Sequence, residues 1–215
     1  EAVMRLAVAH GNRQALEIFA REIAPAGTSW SPGTTGMGGG RPKVTPAVKP
    51  CFFLLEKTDV EVSVTLDGAR QVVVVPVAGG YPGTARKPAP AQVESLEQQG
   101  ATQLLPLLRL AWGRSGDKGD TANIGIIARR PEFLPLLREQ LTSAAVKHYL
   151  SHLVQGEVER FEVPGIHALN FLLHQALGGG GMASLRVDPL AKGYAQMLLD
   201  FPVAVPEAWL QRYLR

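Results

Sequence analysis

The stretch Trp112–Gly125, WGRSGDKGDTANIG, carries four glycines among charged and amide side chains, with apolar residues on both sides. Glycine adopts positive φ and lets a backbone approach a neighbour closely, so this many glycines indicate more than an ordinary solvent turn. We interpret the stretch as a polar loop held between two strands, predicted over 107–112 and 123–128. The fold is predicted outward from this loop.

Downstream of the loop, the pattern predicts helices and strands in alternation. Pro131 stands where a proline typically begins a helix, and the apolar residues after it lie at helical spacing as far as Leu141. The order predicts an α+β fold, a ferredoxin-like α/β sandwich whose antiparallel sheet is covered by helices on one face. The predicted helices lie over 131–141, 146–154, 166–177 and 191–199, and the predicted strands over 157–163 and 183–187.

Upstream of the loop, a smaller segment of one helix and three antiparallel strands is predicted. Residues 1–24 have an apolar face at helical spacing, and 28–43 is rich in Gly, Ser, Thr and Pro, which predicts a second polar loop. Asp67-Gly68 is a typical hairpin turn. The predicted strands lie over 51–55, 60–66 and 71–75. The Pro- and Ala-rich composition of 78–106 indicates a linker, so three parts are expected, over 1–77, 78–106 and 107–215.

The composition indicates a globular protein without a membrane segment. Of the 215 residues, 46% are hydrophobic and 19% charged, and no apolar run approaches the roughly 20 residues that cross a bilayer. The 22 Lys and Arg residues give a net charge of +3 but are scattered, so neither nucleic acid nor a membrane is an expected partner. The single cysteine, Cys51, excludes an intrachain disulfide and favours a reducing, cytoplasmic compartment.

The charged residues of the central loop are candidates for an anion site. Arg114, Lys118 and N–H groups between glycines can hold a carboxylate or phosphate, because fixed positive charge and oriented amides both favour an anion. The alternative is internal pairing of both cations with Asp117 and Asp120, which would make the loop structural. A nucleophile elbow is excluded, because Asp117 stands where G-x-S-x-G requires its last glycine. The loop residues expected to bind a ligand are Arg114, Ser115, Gly116 and Gly119.

Four residues of this stretch are candidates for catalysis: Asp117, Lys118, Asp120 and Asn123. A carboxylate here would orient Lys118 or exchange a proton, and Asn123 would polarise a carbonyl. The three oxygen-bearing side chains stand at intervals of three, which could suit Mg²⁺. Lys118 among them works against a cation, and turn or helix-start roles explain the same spacing, so no metal is expected. The sequence has no redox motif or cofactor signature, and no cofactor is expected.

Asn170 and His174 are ligand-binding candidates because the spacing i, i+4 places them on one side of the predicted helix over 166–177. A histidine satisfied at the core boundary is the alternative. Gly179 and Gly180 are further candidates, within a glycine run that follows the same predicted helix. The run faces the negative end of the helix dipole, so close packing on another segment is more strongly expected than phosphate binding.

The loop over 33–43, GTTGMGGGRPK, invites comparison with phosphate-binding loops. It lacks the P-loop pattern, and Arg41 stands where a dinucleotide loop beginning at Gly36 requires glycine. Thr35 and Arg41 are nevertheless candidates for holding an anionic group at a domain interface. A flexible surface loop is the alternative.

Five motifs taken together resemble the acyclic terpene utilisation protein A (AtuA) family. They are R-S-G-D-K-G-D at 114–120, N-I-G-I at 123–126, V-E-R-F-E-V-P at 158–164, A-L-N-F-L-L-H at 168–174 and G-G-G-G-x-x-S-L-R at 178–186. These motifs resemble the small, ferredoxin-like C-terminal domain of the family. The segments E-I-A-P-A-G-T-S at 22–29 and G-T-T-G-M-G-G-G-R-P at 33–42 resemble the end of its larger N-terminal domain. The resemblance implies that several hundred residues precede this chain, in agreement with its start at Glu1 within a helical pattern.

The resemblance also implies a role in bacterial breakdown of citronellol and geraniol, beside enzymes of branched acyl-CoA thioesters that include a biotin-dependent carboxylase. Our first hypothesis is a cytoplasmic catabolic protein, or enzyme, that binds an acyl-CoA or a carboxylate through the R-S-G-D-K-G-D segment. The second is a non-catalytic assembly module. It would dock on the missing N-terminal domain, on a second copy or on an acyl-CoA carboxylase, and a homo-oligomer is expected.

Overall fold

The structure, a computed structural model, describes residues 3–35, 40–76 and 100–213. The chain divides into two compact units, one of residues 1–49 and 93–215 and the other of residues 50–92. None of the described helices is long and apolar enough to span a bilayer.

The smaller unit carries one hairpin, formed by β1 (Val62–Leu66) and β2 (Ala69–Val73). Its turn is the predicted Asp67-Gly68 pair, and both residues have positive φ. Every residue of the two strands is exposed. The strand predicted over 51–55 is wrong, because that apolar run is exposed and pairs with no strand in the described part of the unit.

The larger unit begins with two short helices, α1 (Arg13–Arg21) and α2 (Ile23–Ser29). The Asn12 side chain begins α1 by accepting a hydrogen bond from the Gln14 amide. The single helix predicted over 1–24 is therefore wrong at both ends. Pro25 is compatible with helix α2 because it lies in the first turn, where a residue needs no N–H of its own.

The remaining elements of the larger unit follow from Thr102 onward. They are β3 (Thr102–Pro106), β4 (Ala111–Lys118), β5 (Thr121–Ala128), α3 (Leu134–Gln140), α4 (Ser143–Tyr149), β6 (Val158–Val163), β7 (Ala168–Leu173), α5 (Tyr194–Leu199), β8 (Pro202–Pro206) and α6 (Glu207–Tyr213).

Four strands form an antiparallel sheet in the order β4-β5-β7-β6. Because β5 and β6 are both antiparallel to β7, which lies between them, they run parallel to each other. Helices α3 and α4 connect them, which makes a split β-α-β unit. A separate ladder pairs β3 with β8. The predicted α+β, ferredoxin-like architecture is confirmed.

The core lies on one face of the four-stranded sheet, between the strands and the helices. Alternate residues of β7, Leu169, Phe171 and Leu173, are fully buried there, as are Ala122, Ile124 and Ile126 on β5. Helix α6 adds Trp209, whose ring stacks on the buried ring of Phe133 with centroids 5.8 Å apart. We call the other side the open face, since Trp112, Ile127 and Phe161 on it are 39–51% exposed. Strand alternation places on it Trp112, Arg114, Gly116, Lys118, Thr121, Asn123, Gly125, Ile127, Glu159, Phe161, Val163, Asn170, Leu172 and His174.

The predicted loop over 112–125 is wrong, because strands β4 and β5 continue through it. Their ladder runs from Ala111↔Ala128 to Lys118↔Thr121, and only Gly119-Asp120 is left for the turn. The predicted strand over 107–112 accordingly begins later, at Ala111, after a short 3-10 turn. Strand β3 lies within the stretch interpreted as a linker, and the proposed domain boundaries stay a prediction.

Two further elements downstream also differ from expectation. The helix predicted over 166–177 is wrong, because this segment contains β7, whose buried residues alternate with period two. The strand predicted over 183–187 is wrong too, since these residues form no strand after the short 3-10 turn Gly181–Ala183. The last strand is β8, which pairs with β3 instead of joining the main sheet.

Candidate functional site

A groove of about 460 Å³ crosses the open face above β4, β5 and β7. The register explains its floor, since Arg114 lies opposite Gly125 and Gly116 lies opposite Asn123. In each pair a polar side chain lies opposite a glycine. The glycine adds no side chain to the floor of the groove, so the polar side chain has free space beside it. A Cβ atom on Gly125 would stand 4.0 Å from the Asn170 Oδ1 atom, so the glycine leaves that amide accessible.

Two amide side chains meet at the centre of this groove. The Asn123 Nδ2 atom donates a hydrogen bond of 2.7 Å to the Asn170 Oδ1 atom, across neighbouring strands. The bond leaves the Asn123 Oδ1 atom and the Asn170 Nδ2 atom with no partner among the described residues. The pair therefore offers a ligand one acceptor and one donor, a combination suited to a carbonyl beside a hydroxyl or amide.

Three cations line the groove, Arg114, Lys118 and Lys192, against one carboxylate, Asp117. All three cations are exposed. The Lys118 Nζ atom donates to the main-chain oxygen of Asp117. In the part of the chain that the structure describes, no ion pair joins either cation of the hairpin to Asp117 or Asp120. The internal pairing considered as the alternative is therefore not observed, and the groove presents net positive charge.

Sequence reasoning missed Lys192. Its Nζ atom lies 3.8 Å from where a Cβ atom of Gly116 would stand, so it extends the positive edge that Arg114 and Lys118 begin. The Asp188 carboxylate holds the backbone of this loop, accepting hydrogen bonds of 2.9 Å from the Lys192 amide and 2.7 Å from the Gly193 amide. No local pattern marked Lys192 as a groove residue, because Asp188, three residues before the helix predicted over 191–199, indicates only hydrogen bonding to nearby backbone amides.

Ser115, predicted to bind a ligand, has its hydroxyl directed to the core side of the hairpin. Its Oγ atom accepts a hydrogen bond of 2.9 Å from the Ala195 amide in the first turn of α5. Ser115 therefore caps a helix from a neighbouring strand.

Asp120 ties the hairpin turn to the glycine run that follows β7. Its Oδ1 atom accepts hydrogen bonds from the amides of Leu177, at 3.1 Å, and Gly179, at 2.8 Å. Gly180 approaches so closely that a Cβ atom on it would stand 2.1 Å from the main-chain oxygen of Gly119. These contacts are the close packing expected for the glycine run. Asp120, Gly119, Gly179 and Gly180 therefore stabilise the packing of the turn on this run, in addition to any contact with a ligand.

His174 lies at the end of β7 and contacts two residues that sequence reasoning missed. The Nε2 atom is 2.6 Å from the Glu159 Oε1 atom, and the Nδ1 atom is 3.3 Å from the Thr121 Oγ1 atom. All three side chains belong to the open face. A correct assignment of the strands would have placed Thr121 and Glu159 on the same sheet face as His174, because side chains alternate along a strand. Positions 170 and 174 share a strand face as well as a helix face.

Arg41 lines a different groove of about 460 Å³, beside α1. It is joined there by Arg13, Arg21 and Lys43, while Glu17 pairs with Arg13 through a contact of 2.9 Å. Thr35 is exposed and does not line that groove. Neither residue lines the groove of the open face. Within the described residues, no group of three or more His, Cys, Asp or Glu side chains is arranged to hold a metal ion.

Comparison with known proteins identifies the part of the chain that carries the open-face groove. Residues 105–204 match the family model of the AtuA ferredoxin-like domain. The match spans the four-stranded sheet, the groove and helices α3 to α5. No curated protein and no solved structure gives a significant match to the chain.

Proposed function

We propose that this chain, which belongs to the AtuA family through the ferredoxin-like domain at residues 105–204, binds an acyl-CoA or a carboxylate through its open-face groove. The role that goes with this ligand is cytoplasmic breakdown of acyclic terpenes such as citronellol and geraniol, or of related branched acyl-CoA thioesters. The observation that carries the proposal is the set of three groove cations facing a single carboxylate.

The cations supply the anion-binding end of the groove. Arg114 offers a planar fork of N–H donors that matches a carboxylate or phosphate, and Lys118 and Lys192 add positive charge beside it. All three are exposed and form no ion pair with another described residue, so a charged ligand can reach them without first breaking one.

The other end of the groove suits an acyl chain. Ile127, Val163 and Ile166 line it with branched apolar side chains, and Ile127 and Ile166 are 39% and 53% exposed. Covering these side chains with a branched acyl group would remove apolar surface from water at about 25 cal/mol per Å². Between the two ends, the free Asn170 Nδ2 donor supports the acyl carbonyl.

Calorimetric titration of the full chain with isovaleryl-CoA tests the proposal. Substituting Arg114→Ala should weaken binding at least about tenfold, because a charge-assisted contact contributes roughly 1.5–3 kcal/mol. The thermal midpoint should not move, since the side chain is exposed. Arg70→Ala on β2 removes the same charge from a residue that does not line the groove and is the matched control. Equal affinities of the wild type and Arg114→Ala would contradict the anion-binding role.

A second candidate function, non-catalytic assembly, has its own supporting observation. Trp112 and Phe161 are 51% and 44% exposed on the open face, and aromatic side chains of this kind are enriched at protein interfaces. The occupant would be the larger N-terminal domain of the family, a second copy of this chain or an acyl-CoA carboxylase. Light scattering of the chain alone and with carboxylase subunits distinguishes the two functions. A monomer that binds isovaleryl-CoA and no subunit would contradict assembly.

A further inference from the structure

A hydroxyl, an imidazole and a carboxylate from three separate segments are in hydrogen-bond contact on the open face. Thr121 begins β5, His174 directly follows β7, and Glu159 lies on β6. The imidazole is central, with its Nδ1 atom 3.3 Å from the Thr121 hydroxyl and its Nε2 atom 2.6 Å from the Glu159 carboxylate. None of the three lines the groove assigned to the acyl-CoA.

The chemistry of the three groups determines which atom donates in each of the two hydrogen bonds. An ionised carboxylate only accepts hydrogen bonds, so the Nε2 atom of His174 donates to Glu159. A neutral imidazole then has its lone pair on Nδ1, where it accepts a hydrogen bond from the Thr121 hydroxyl. A hydroxyl bonded to a base that a third group orients is the arrangement that activates an oxygen nucleophile.

The main chain of His174 is held in place independently of the carboxylate. The His174 amide donates to the Glu157 oxygen at 2.9 Å, and the His174 oxygen accepts from the Gly156 amide at 3.0 Å. A Cβ atom on Gly156 would stand 2.6 Å from that oxygen, so only glycine permits the approach.

The contact between His174 and Glu159 contributes little to the fold. The His174 and Glu159 side chains are 41% and 51% exposed, and exposed pairs add at most about 1 kcal/mol of stability. Because the fold does not depend on this contact, the two side chains can take part in a reaction.

We propose that Thr121, His174 and Glu159 form a hydrolytic centre for acyl esters or thioesters. The Thr121 Oγ1 atom attacks the acyl carbon while its proton passes to His174 Nδ1. The carbon–sulfur or carbon–oxygen bond breaks, and the leaving thiol or alcohol takes that proton. Water then attacks the acyl-threonine ester, with His174 accepting the proton of the water and returning it to the Thr121 oxygen. The products are a carboxylic acid and the free hydroxyl.

Glu159 supports the reaction, because its carboxylate stabilises the imidazolium that forms in each step. Thr121 lies two residues before Asn123 on the same strand face, roughly 7 Å along β5 from the amide pair of the groove. The centre goes beyond the binding function, and a small ester can test it without any contact to the groove cations.

The test uses the full chain and p-nitrophenyl butyrate, with release of nitrophenolate and mass spectrometry after an acid quench. The tryptic peptide over 119–129, GDTANIGIIAR, has Thr121 as its only hydroxyl side chain and contains no Lys or Cys. A butyryl adduct on this peptide therefore identifies the nucleophile. Thr121→Val and His174→Gln should each lower the rate at least about 100-fold, the lower end for loss of general-base catalysis. Glu159→Gln should lower it less, because the amide still accepts the Nε2 hydrogen bond.

His152→Gln and Thr65→Val replace exposed residues outside the centre and should leave the rate unchanged. A wild-type rate equal to that of buffer would overturn the proposal, as would an undiminished rate in Thr121→Val. A wild-type protein that binds isovaleryl-CoA but does not hydrolyse the ester contradicts this centre alone. Hydrolysis without isovaleryl-CoA binding contradicts only the binding function.

Discussion

The run Gly178–Gly181 shows how single residues determine the hairpin side of the domain. All four glycines have positive φ, between 45° and 96°, where a side chain typically costs about 1–2 kcal/mol. Gly180 has the least space of the four, because a Cβ atom on it would overlap the oxygen of Gly119. Asp120 fixes this approach through its hydrogen bond to the Gly179 amide.

Gly180→Ala should therefore destabilise the protein more than Gly181→Ala. The first substitution adds a backbone clash to the conformational strain and should lower the free energy of unfolding by roughly 3 kcal/mol or more. The second meets nothing within 4 Å, so it should cost only the strain, about 1 kcal/mol. Urea unfolding followed by tryptophan fluorescence measures both. Equal losses would show that the Gly180 contact does not constrain the native backbone.

At the scale of elements, helix α5 depends on the hairpin that it covers. Six residues are too few for an isolated helix in water, so its contacts with β4 must supply the stability. One is the Ser115 hydrogen bond to the Ala195 amide. The other is close packing at Gly113, where an added Cβ atom would stand 3.3 Å from Ala195 and from Leu199. This packing explains why the hairpin has a glycine at position 113.

Ser115→Ala should cost about 1 kcal/mol of unfolding free energy, the usual effect of removing a side chain that satisfies an amide at a helix start. Ser151→Ala removes the same hydroxyl at an exposed turn and is the control. Chemical denaturation of the two variants gives the comparison. A loss no larger than that of Ser151→Ala would mean that water replaces the cap without cost.

The sequence predicts the fold class, and the proximity of motifs that are distant in the chain, better than it predicts the individual helices and strands. Apolar residues fill 168–173 at both strand and helix spacing, so periodicity cannot decide between the two. Asn170 and His174 were nevertheless correctly placed together, because residues four positions apart lie on one face of a strand as well as on one face of a helix. The glycines of β4 and β5 suggested a loop, whereas their packing partners, such as Ala195, lie far along the chain. Lys192 and Glu159 could not be found locally for the same reason.

At the scale of the whole molecule, the buried core belongs to the larger unit. Its sheet and helices exclude water from Leu169 completely, whereas Leu66 on β1 is 72% exposed. A two-stranded hairpin with every strand residue exposed has little apolar surface to stabilise it. The described residues of the smaller unit therefore add little to the stability of the chain.

Matched leucine truncations test this distribution of stability. Leu169→Ala should cost about 2–5 kcal/mol, because it removes buried methyl groups and leaves a cavity, and should lower the calorimetric midpoint by roughly 5 °C or more. Leu66→Ala should change the unfolding free energy by less than about 0.5 kcal/mol, as is usual for an exposed site. Scanning calorimetry of the full chain measures both on one scale. A comparable fall in the midpoint for Leu66→Ala would mean that the hairpin is covered in the native protein, and its exposed strands would then mark a second interface.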